Sequence, residues 1–273
     1  MKKVAIITGA SSGLGRQFVI QTAKSHGFLD EIWVVARRAD RLFELGVLVS
    51  NIVIRPIPLD LAKKDSAERI RNILAKEKPK VYVLVNCSGL GLAGKFDRQE
   101  EEMLDQMVKV NCLALTRITR AVLPYMPRKA RIVQVASSAA FVPQPGFAVY
   151  AATKSYVLNL SLALRQELKK RGIIVTAVCP GPVKTEFFDT AYQKKEMKLY
   201  KKLAMSKPEK VSKKGSEGCK KRQGGLCLRA FHEGGESPLQ AAAERSDRQA
   251  DRLEGNLYER NQNLSQGRRT AAG

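Results

Sequence analysis

The chain has 273 residues, a formal net charge of +22 and 27% charged residues. That length suits one large domain with an appendage. No apolar run is long enough to span a bilayer, and the short run Val4-Ala5-Ile6-Ile7 is unlike a secretory leader, so the chain reads as cytoplasmic. Its five cysteines have neither zinc-ligand spacing nor a paired framework, which fits reduced thiols, and two histidines are too few for a His-based metal site. The basic residues are dispersed, as in Lys63-Lys64, Arg69, Arg71 and Lys76, rather than interleaved with stacking aromatics. They read as solvated helix faces, with no nucleic-acid partner expected and peripheral membrane contact left open.

The first element in chain order is a β-branched run, Val4–Thr8, followed by Thr8-Gly9-Ala10-Ser11-Ser12-Gly13-Leu14-Gly15 and a helical pattern over Leu14–Ser25. Strand, glycine turn and helix together are the dinucleotide arrangement. Gly9 allows the sharp turn, Gly13 lets backbone approach phosphate, and Gly15 lets the helix pack on the strand, while the helix N-terminus offers N–H groups to a pyrophosphate. A second strand is expected at Ile32–Ala36. NAD sites usually carry a carboxylate at its end, on the adenosine ribose; here stand Arg37 and Arg38, with no acid before Asp40. Two guanidinium groups suit a 2′-phosphate, so NADP (NADPH) is the expected cofactor.

A helix at Ala39–Val47, a strand at Ile52–Ile57, a helix at Lys63–Lys76 and a strand at Val81–Val85 continue the alternation. The run Val81-Tyr82-Val83-Leu84-Val85 is apolar on both faces, as a strand covered on each side by helices must be. Then follow a long helix, Glu100–Met126, a strand at Ile132–Ala136, a second long helix, Val149–Lys170, a strand at Ile173–Val178 and a helix at Glu186–Ala204. The alternation predicts an α/β doubly wound parallel sheet, a Rossmann fold. Within the second long helix, Tyr150 and Lys154 stand four residues apart and share a face, so an ammonium lies beside a phenol and favours its phenolate. Such a tyrosine can exchange a proton with a carbonyl or hydroxyl oxygen at neutral pH.

From about Ser206 the apolar periodicity fails, and the Gln-, Arg-, Gly- and Ala-rich remainder predicts disorder, with a frayed helix around Leu239–Leu257. We divide the chain into a domain over 1–211 and an aberrant tail over 212–273. The bases encoding Gly215 to Arg229 can be chosen so that the neighbouring frame reads Ala-Leu-Lys-Asp-Ala-Arg-Asn-Gly-Lys-Glu-Val-Ser-Val-Tyr-Gly, a helix, a turn and a strand. The tail therefore reads as a frameshift product that leaves the sheet without its last edge strand.

Glycine turn, Leu59-Asp60-Leu61, Asn111 in Val110-Asn111-Cys112, the Tyr150–Lys154 pair and Pro180-Gly181-Pro182-Val183-Lys184-Thr185 fall in one order. In that order, from about Lys2 to Val211, the chain resembles the short-chain dehydrogenase/reductase family. The resemblance implies that Tyr150 is the proton donor in reduction (acceptor in oxidation), that Lys154 lowers its pKa and holds the nicotinamide ribose, and that Asn111 keeps a water behind Lys154. It puts Asp60 at the adenine and Val183 and Thr185 at the nicotinamide carboxamide, within the Pro180–Gly181 loop, and adds Ser11, Ser12 and Leu14 to the phosphate turn. Alignment of the fifth strand puts the substrate-orienting hydroxyl at Ser137 rather than Ser138. The family's Asn-Asn-Ala-Gly is here Asn86-Cys87-Ser88-Gly89, which keeps Asn86 near the adenosine ribose and makes Cys87 a packing residue. The implied activity is NADP-dependent hydride transfer between a carbonyl and a secondary alcohol, in a homodimer or homotetramer built on the two long helices. Alternatives are a 3-oxoacyl-thioester reductase and an impaired scaffold of the same fold.

Overall fold

The computed structural model describes residues 1–192 and 205–220. Six parallel strands run β1 (Lys3–Thr8), β2 (Glu31–Ala36), β3 (Val53–Pro58), β4 (Lys80–Asn86), β5 (Arg131–Val135) and β6 (Ile174–Val178), in the sheet order β3-β2-β1-β4-β5-β6. The order reverses between β1 and β4, and a crevice opens at such a switch point beyond the strands' C-terminal ends. Pro56 and Pro58 lie in β3, the edge strand, where a missing N–H removes no ladder bond.

Two apolar layers sandwich the sheet, because alternate residues of each central strand point to opposite faces. One joins Ala5, Ile7, Val34 and Val85 to Phe18 and Val19 of α1 (Gly13–Ser25) and to Leu42 and Leu45 of α2 (Ala39–Leu48). The other joins Ile6, Trp33, Leu84 and Ile132 to Ile70 and Leu74 of α3 (Ser66–Glu77) and to Ile118 and Val122 of α5 (Leu115–Val122). The expected strands all form, each within a residue or so of the anticipated bounds.

The long helix expected over Glu100–Met126 is not one α-helix. It comprises α4 (Glu101–Val108), a π-helical turn over Lys109–Ala114 and α5, and closes in a 3₁₀ turn over Leu123–Tyr125 that contains Pro124. A π turn widens the winding and rotates the residues inside it; Asn111 lies there, fully buried. The next long helix, α6, spans Ala148–Lys169. The helix expected over Glu186–Ala204 begins as α7 (Glu186–Tyr192), and its remainder lies outside the described residues.

A second correction concerns the C-terminal region. The pattern loss expected from Ser206 is answered by α8 (Pro208–Lys220), which crosses the boundary drawn after residue 211. It lies against α1 and β6 with Val211, Ser212 and Gly215 buried. This face was missed because small residues form it: a Cβ on Gly215 would sit 3.1 Å from both Phe18 and Val178. The frayed helix expected around Leu239–Leu257, and most of the frameshifted stretch, lie outside the described residues.

Candidate active site

The glycine turn caps the C-terminal end of β1. Gly9 has φ +68°, and a Cβ there would meet Ser88 N at 2.8 Å, so β1 and the loop after β4 approach to backbone contact. Thr8 Oγ1 fastens that approach by accepting from the N–H groups of Cys87 (3.1 Å) and Ser88 (3.2 Å). A Cβ on Gly15 would lie 2.0 Å from Gly9 O, so only glycine lets α1 start this close to the strand. Ser11, Ser12 and Leu14 line the turn, partly buried; Ser12 caps α1, whose first turn holds no acidic residue to oppose an anion.

Arg37 and Arg38 follow β2, both exposed. Arg38 donates to Ser11 Oγ (3.3 Å) and pairs with Glu186 (2.8 Å), bridging the turn to α7; among the described residues Arg37 has no such pairing. Asp60 accepts from Ala62 N (3.0 Å), capping the turn after β3. The carboxamide of Asn86 points into the core: its Nδ2 donates to Thr119 Oγ1 and Gln134 Oε1, each at 2.9 Å.

At the far side of the crevice, α6 presents Tyr150 and Lys154, both buried. Lys154 Nζ donates to Val135 O (2.9 Å) and lies 5.6 Å from the centre of the Tyr150 ring. Burial pushes Lys154 down to about 8, against the pull of three nearby thiols, Cys87, Cys112 and Cys179. Burial likewise pushes Tyr150 up to about 12, against the hydrogen bond from Ser137 that lowers it. The phenol is thus not acidified as expected: desolvation outweighs the Ser137 hydrogen bond, and Tyr150 is held protonated at neutral pH. Burial also pushes the Cys87 thiol up to about 12, which leaves it a packing residue rather than a nucleophile.

Ser137, just past β5, stands beside Tyr150, and its Oγ accepts from Ala139 N (3.1 Å). Ser138 instead uses its N–H on Pro180 O (2.8 Å), tying the β5 end to the loop after β6. Asn111 bridges two walls: Oδ1 accepts from Leu90 N (2.8 Å), while Nδ2 donates to Leu90 O (2.7 Å) and Thr153 Oγ1 (2.9 Å). A Cβ on Gly89 would lie 3.4 Å from Lys154 Nζ and 3.5 Å from Asn111 Oδ1, so Asn111 and the lysine approach the same loop.

Pro180 and Gly181 begin the β6 loop, whose next part is pinned from both sides: Ser206 N donates to Pro182 O (2.9 Å) and Lys184 N to Ser206 O (3.0 Å). Val183 is buried, and Thr185 crosses to the phosphate turn, where a Cβ on Gly13 would meet its Cγ2 at 3.0 Å. Two aromatic residues overlooked in the sequence, Phe147 and Phe187, flank Tyr150 with ring centres 4.5 and 5.5 Å away. Spacing could have flagged Phe147, three residues before Tyr150 at the start of the same helix. Among the described residues no group of His, Cys, Asp and Glu is arranged to hold a metal.

The glycine cradle thus leaves backbone room for a phosphate-bearing group at a helix start, and the buried phenol, hydroxyl and ammonium converge at the same sheet end. Residues 3–196 match the profile of the family described as short chain dehydrogenase. Among relatives, sulfoacetaldehyde reductase 2 of Chromohalobacter salexigens is 34% identical over 196 residues, covering 68% of this chain and 75% of that protein. A short-chain dehydrogenase from Sphingobium yanoikuyae in complex with NADPH superposes with a TM-score of 0.73 at 26% identity, covering 90% of this chain and 94% of the other. The 3-ketoacyl-(acyl-carrier-protein) reductase from Brucella melitensis complexed with NADH gives 0.68 at 25% identity, covering 84% and 93%.

Proposed function

The chain belongs to the short-chain dehydrogenase family and is an oxidoreductase by that membership, and we propose that it reduces a carbonyl to a secondary alcohol with NADPH, Tyr150 giving the proton. The observation that carries this reading is the meeting of Tyr150, Ser137 and Lys154 at the sheet end that also holds the glycine turn.

The cofactor's residues are those whose geometry fits a dinucleotide. The turn from Gly9 to Gly15 and the start of α1 would receive the pyrophosphate. Arg37 and Arg38 would meet the 2′-phosphate, Asp60 and the Asn86 turn the adenosine, and Val183 and Thr185, in the loop begun by Pro180 and Gly181, the carboxamide. NADPH supplies a hydride to the carbonyl carbon when bound there. On the protein's side, Ser137 and Tyr150 hydrogen-bond the carbonyl oxygen, and the phenol proton passes to that oxygen as the C=O π bond opens. A phenol held protonated up to about pH 12 is already in the donor form that reduction requires. Lys154 would hold the nicotinamide ribose hydroxyls and, turned from Val135, stabilise the phenolate left behind. Asn111 acts as a positioning residue, fixing the loop at Leu90 and, through Thr153, the α6 turn that carries Tyr150 O (Thr153 Oγ1 to Tyr150 O, 2.7 Å).

No described helix is long and apolar enough to cross a membrane. We assign the protein to the cytoplasm on its thiols Cys87 and Cys112, which form no disulfide among the described residues. Reduction of a 3-oxoacyl thioester is the second reading, favoured by the likeness to the Brucella enzyme. The test is a Tyr150→Phe variant assayed with a panel of ketones. Turnover should disappear while NADPH binding, followed by cofactor fluorescence, stays within a few-fold. Turnover that survives in the Phe variant would refute the assignment.

A further inference from the structure

Tyr150 sits in an aromatic wall. Phe147 and Phe187 both pack against its ring; Phe187 continues edge-on to Phe188 (5.4 Å), and Tyr192 stacks on both Phe188 (6.2 Å) and Phe147 (6.3 Å). Leu92, Met107, Ala151 and Ala191 complete the buried cluster around it.

One contact shows how the wall meets the reacting group. A Cβ on Gly91 would lie 2.6 Å from Phe187 Cζ and 2.8 Å from Tyr150 Cδ2. The Phe187 ring and the Tyr150 ring therefore converge on one small spot that glycine keeps clear. Tyr150 is only 8% exposed, so a carbonyl reaches the phenol by displacing a neighbour. Phe187 is the neighbour suited to move, since it is partly exposed, whereas Phe147 is buried at the root of α6. Among the described residues, burial, the Ser137 hydroxyl and the Cys179 thiol act on the Tyr150 phenol, and the Lys154 ammonium lies 5.6 Å from its ring, bonded to Val135 O.

Resting on the reductase reading above, we propose that Phe187 stands in for the substrate: the natural ketone carries a flat or bulky uncharged apolar group next to its carbonyl, which takes Phe187's place against Tyr150 and Gly91. The physical ground is a difference in desolvation. An aromatic group that replaces Phe187 recovers the offset and tilted ring contacts that Phe187 gives up. An anionic group there leaves water for a wall of aromatic rings, where the Lys154 ammonium is already bonded to Val135 O, and a poorly paired buried ion is strongly disfavoured.

The experiment uses three ketones that differ only in what replaces one hydrogen of acetone: phenylacetone, butanone and acetoacetate. Their kcat/KM values with NADPH should fall in that order, with phenylacetone at least tenfold above acetoacetate. Phe187→Ala should lower KM for phenylacetone several-fold, because the competing ring is gone, and leave acetoacetate poor. Phe187→Leu, a smaller change to α7, should move KM the same way to a lesser extent. Acetoacetate reduced as well as phenylacetone, or an unchanged or raised KM for phenylacetone in both folded variants, would overturn the inference and leave the reductase reading standing. NADPH binding without reduction of any of the three would overturn both.

Discussion

Lys154 offers a prediction that separates electrostatics from packing. Its pKa is lowered from 10.5 to about 8 by burial, so the folded chain gives up the proton before the unfolded chain does. Below pH 8 both states hold the proton and the native state bears the desolvation of an ammonium. Between about 8 and 10.5 the unfolded state binds more protons, and stability rises with pH. At 1.36 kcal/mol per pKa unit, native stability should gain about 2 kcal/mol from pH 7 to pH 9.5 through this group alone. Lys154→Met removes that gain. At pH 7 the variant also escapes the desolvation, offset by about 1.5–3 kcal/mol for the lost charged hydrogen bond to Val135 O, so the two chains should differ little there. Urea denaturation of both chains at pH 7, 8, 9 and 9.5, with reductant present, measures the difference; the other titrating groups are common to both, and Cys87 and Cys112, thiols that act on Lys154, are themselves raised by burial. Wild-type stability should rise against the variant by about 2 kcal/mol over that range. A difference that does not change with pH would show that Lys154 is not a desolvated cation, and the account of how this site is charged would fall with it.

Arg37→Ala should weaken NADPH by about 1–3 kcal/mol, the value of a charged hydrogen bond, and barely affect NADH; equal losses for both would refute the 2′-phosphate assignment. Arg38, already paired with Glu186, should matter less than Arg37 in the same titration, and a larger loss at Arg38 would reverse the assignment between them. Gly91→Ala should cost about 1–3 kcal/mol by overpacking and reduce kcat by pressing on Tyr150 and Phe187; unchanged kcat would mean that loop yields freely. Met103, Val108, Leu113 and Tyr156 are exposed apolar positions on α4, the π turn and α6, so an isologous contact through these helices should give a dimer or tetramer, and a clean monomer by light scattering at micromolar concentration would refute it.

The strand-helix alternation was legible because a sheet covered on both faces demands continuous apolar runs, and Val81–Val85 or Ile132–Val135 have no other reading. The glycine turn was legible for a related reason: Gly9 and Gly15 are dictated by backbone-to-backbone approach, which leaves a mark in residue type. Asn111 and Asn86 show the limit. Both are buried amides, but one joins the Leu90 loop to α6 and the other belongs to a three-residue polar network between the sheet and α5. Only the π turn, which no propensity signals, decides where Asn111 points. The Tyr150–Lys154 spacing correctly put two groups on one face, yet their charge states follow from burial, from Ser137 and from the nearby thiols, and neither can be read from an i, i+4 interval.

The C-terminal helix shows the same limit from the opposite direction. Hydrophobic periodicity locates a helix by what it buries, and α8 buries Val211, then Ser212 and Gly215. A face of small residues docks because its partners come close: Phe18 of α1 and Val178 of β6 reach to within 3.1 Å of where a Gly215 side chain would begin. The packing is therefore supplied by the partner elements and is invisible in the helix's own sequence. Ser216, the next residue, borders a narrow crevice lined by Phe18, Thr22, His26, Val83, Val85, Arg131 and Val133. The neighbouring reading frame has Ala and Leu at these two positions. The alanine would need its neighbours to yield by a few tenths of an ångström, and the leucine would have to push aside part of that lining, so α8 as it packs is fitted to the glycine and serine that the chain carries.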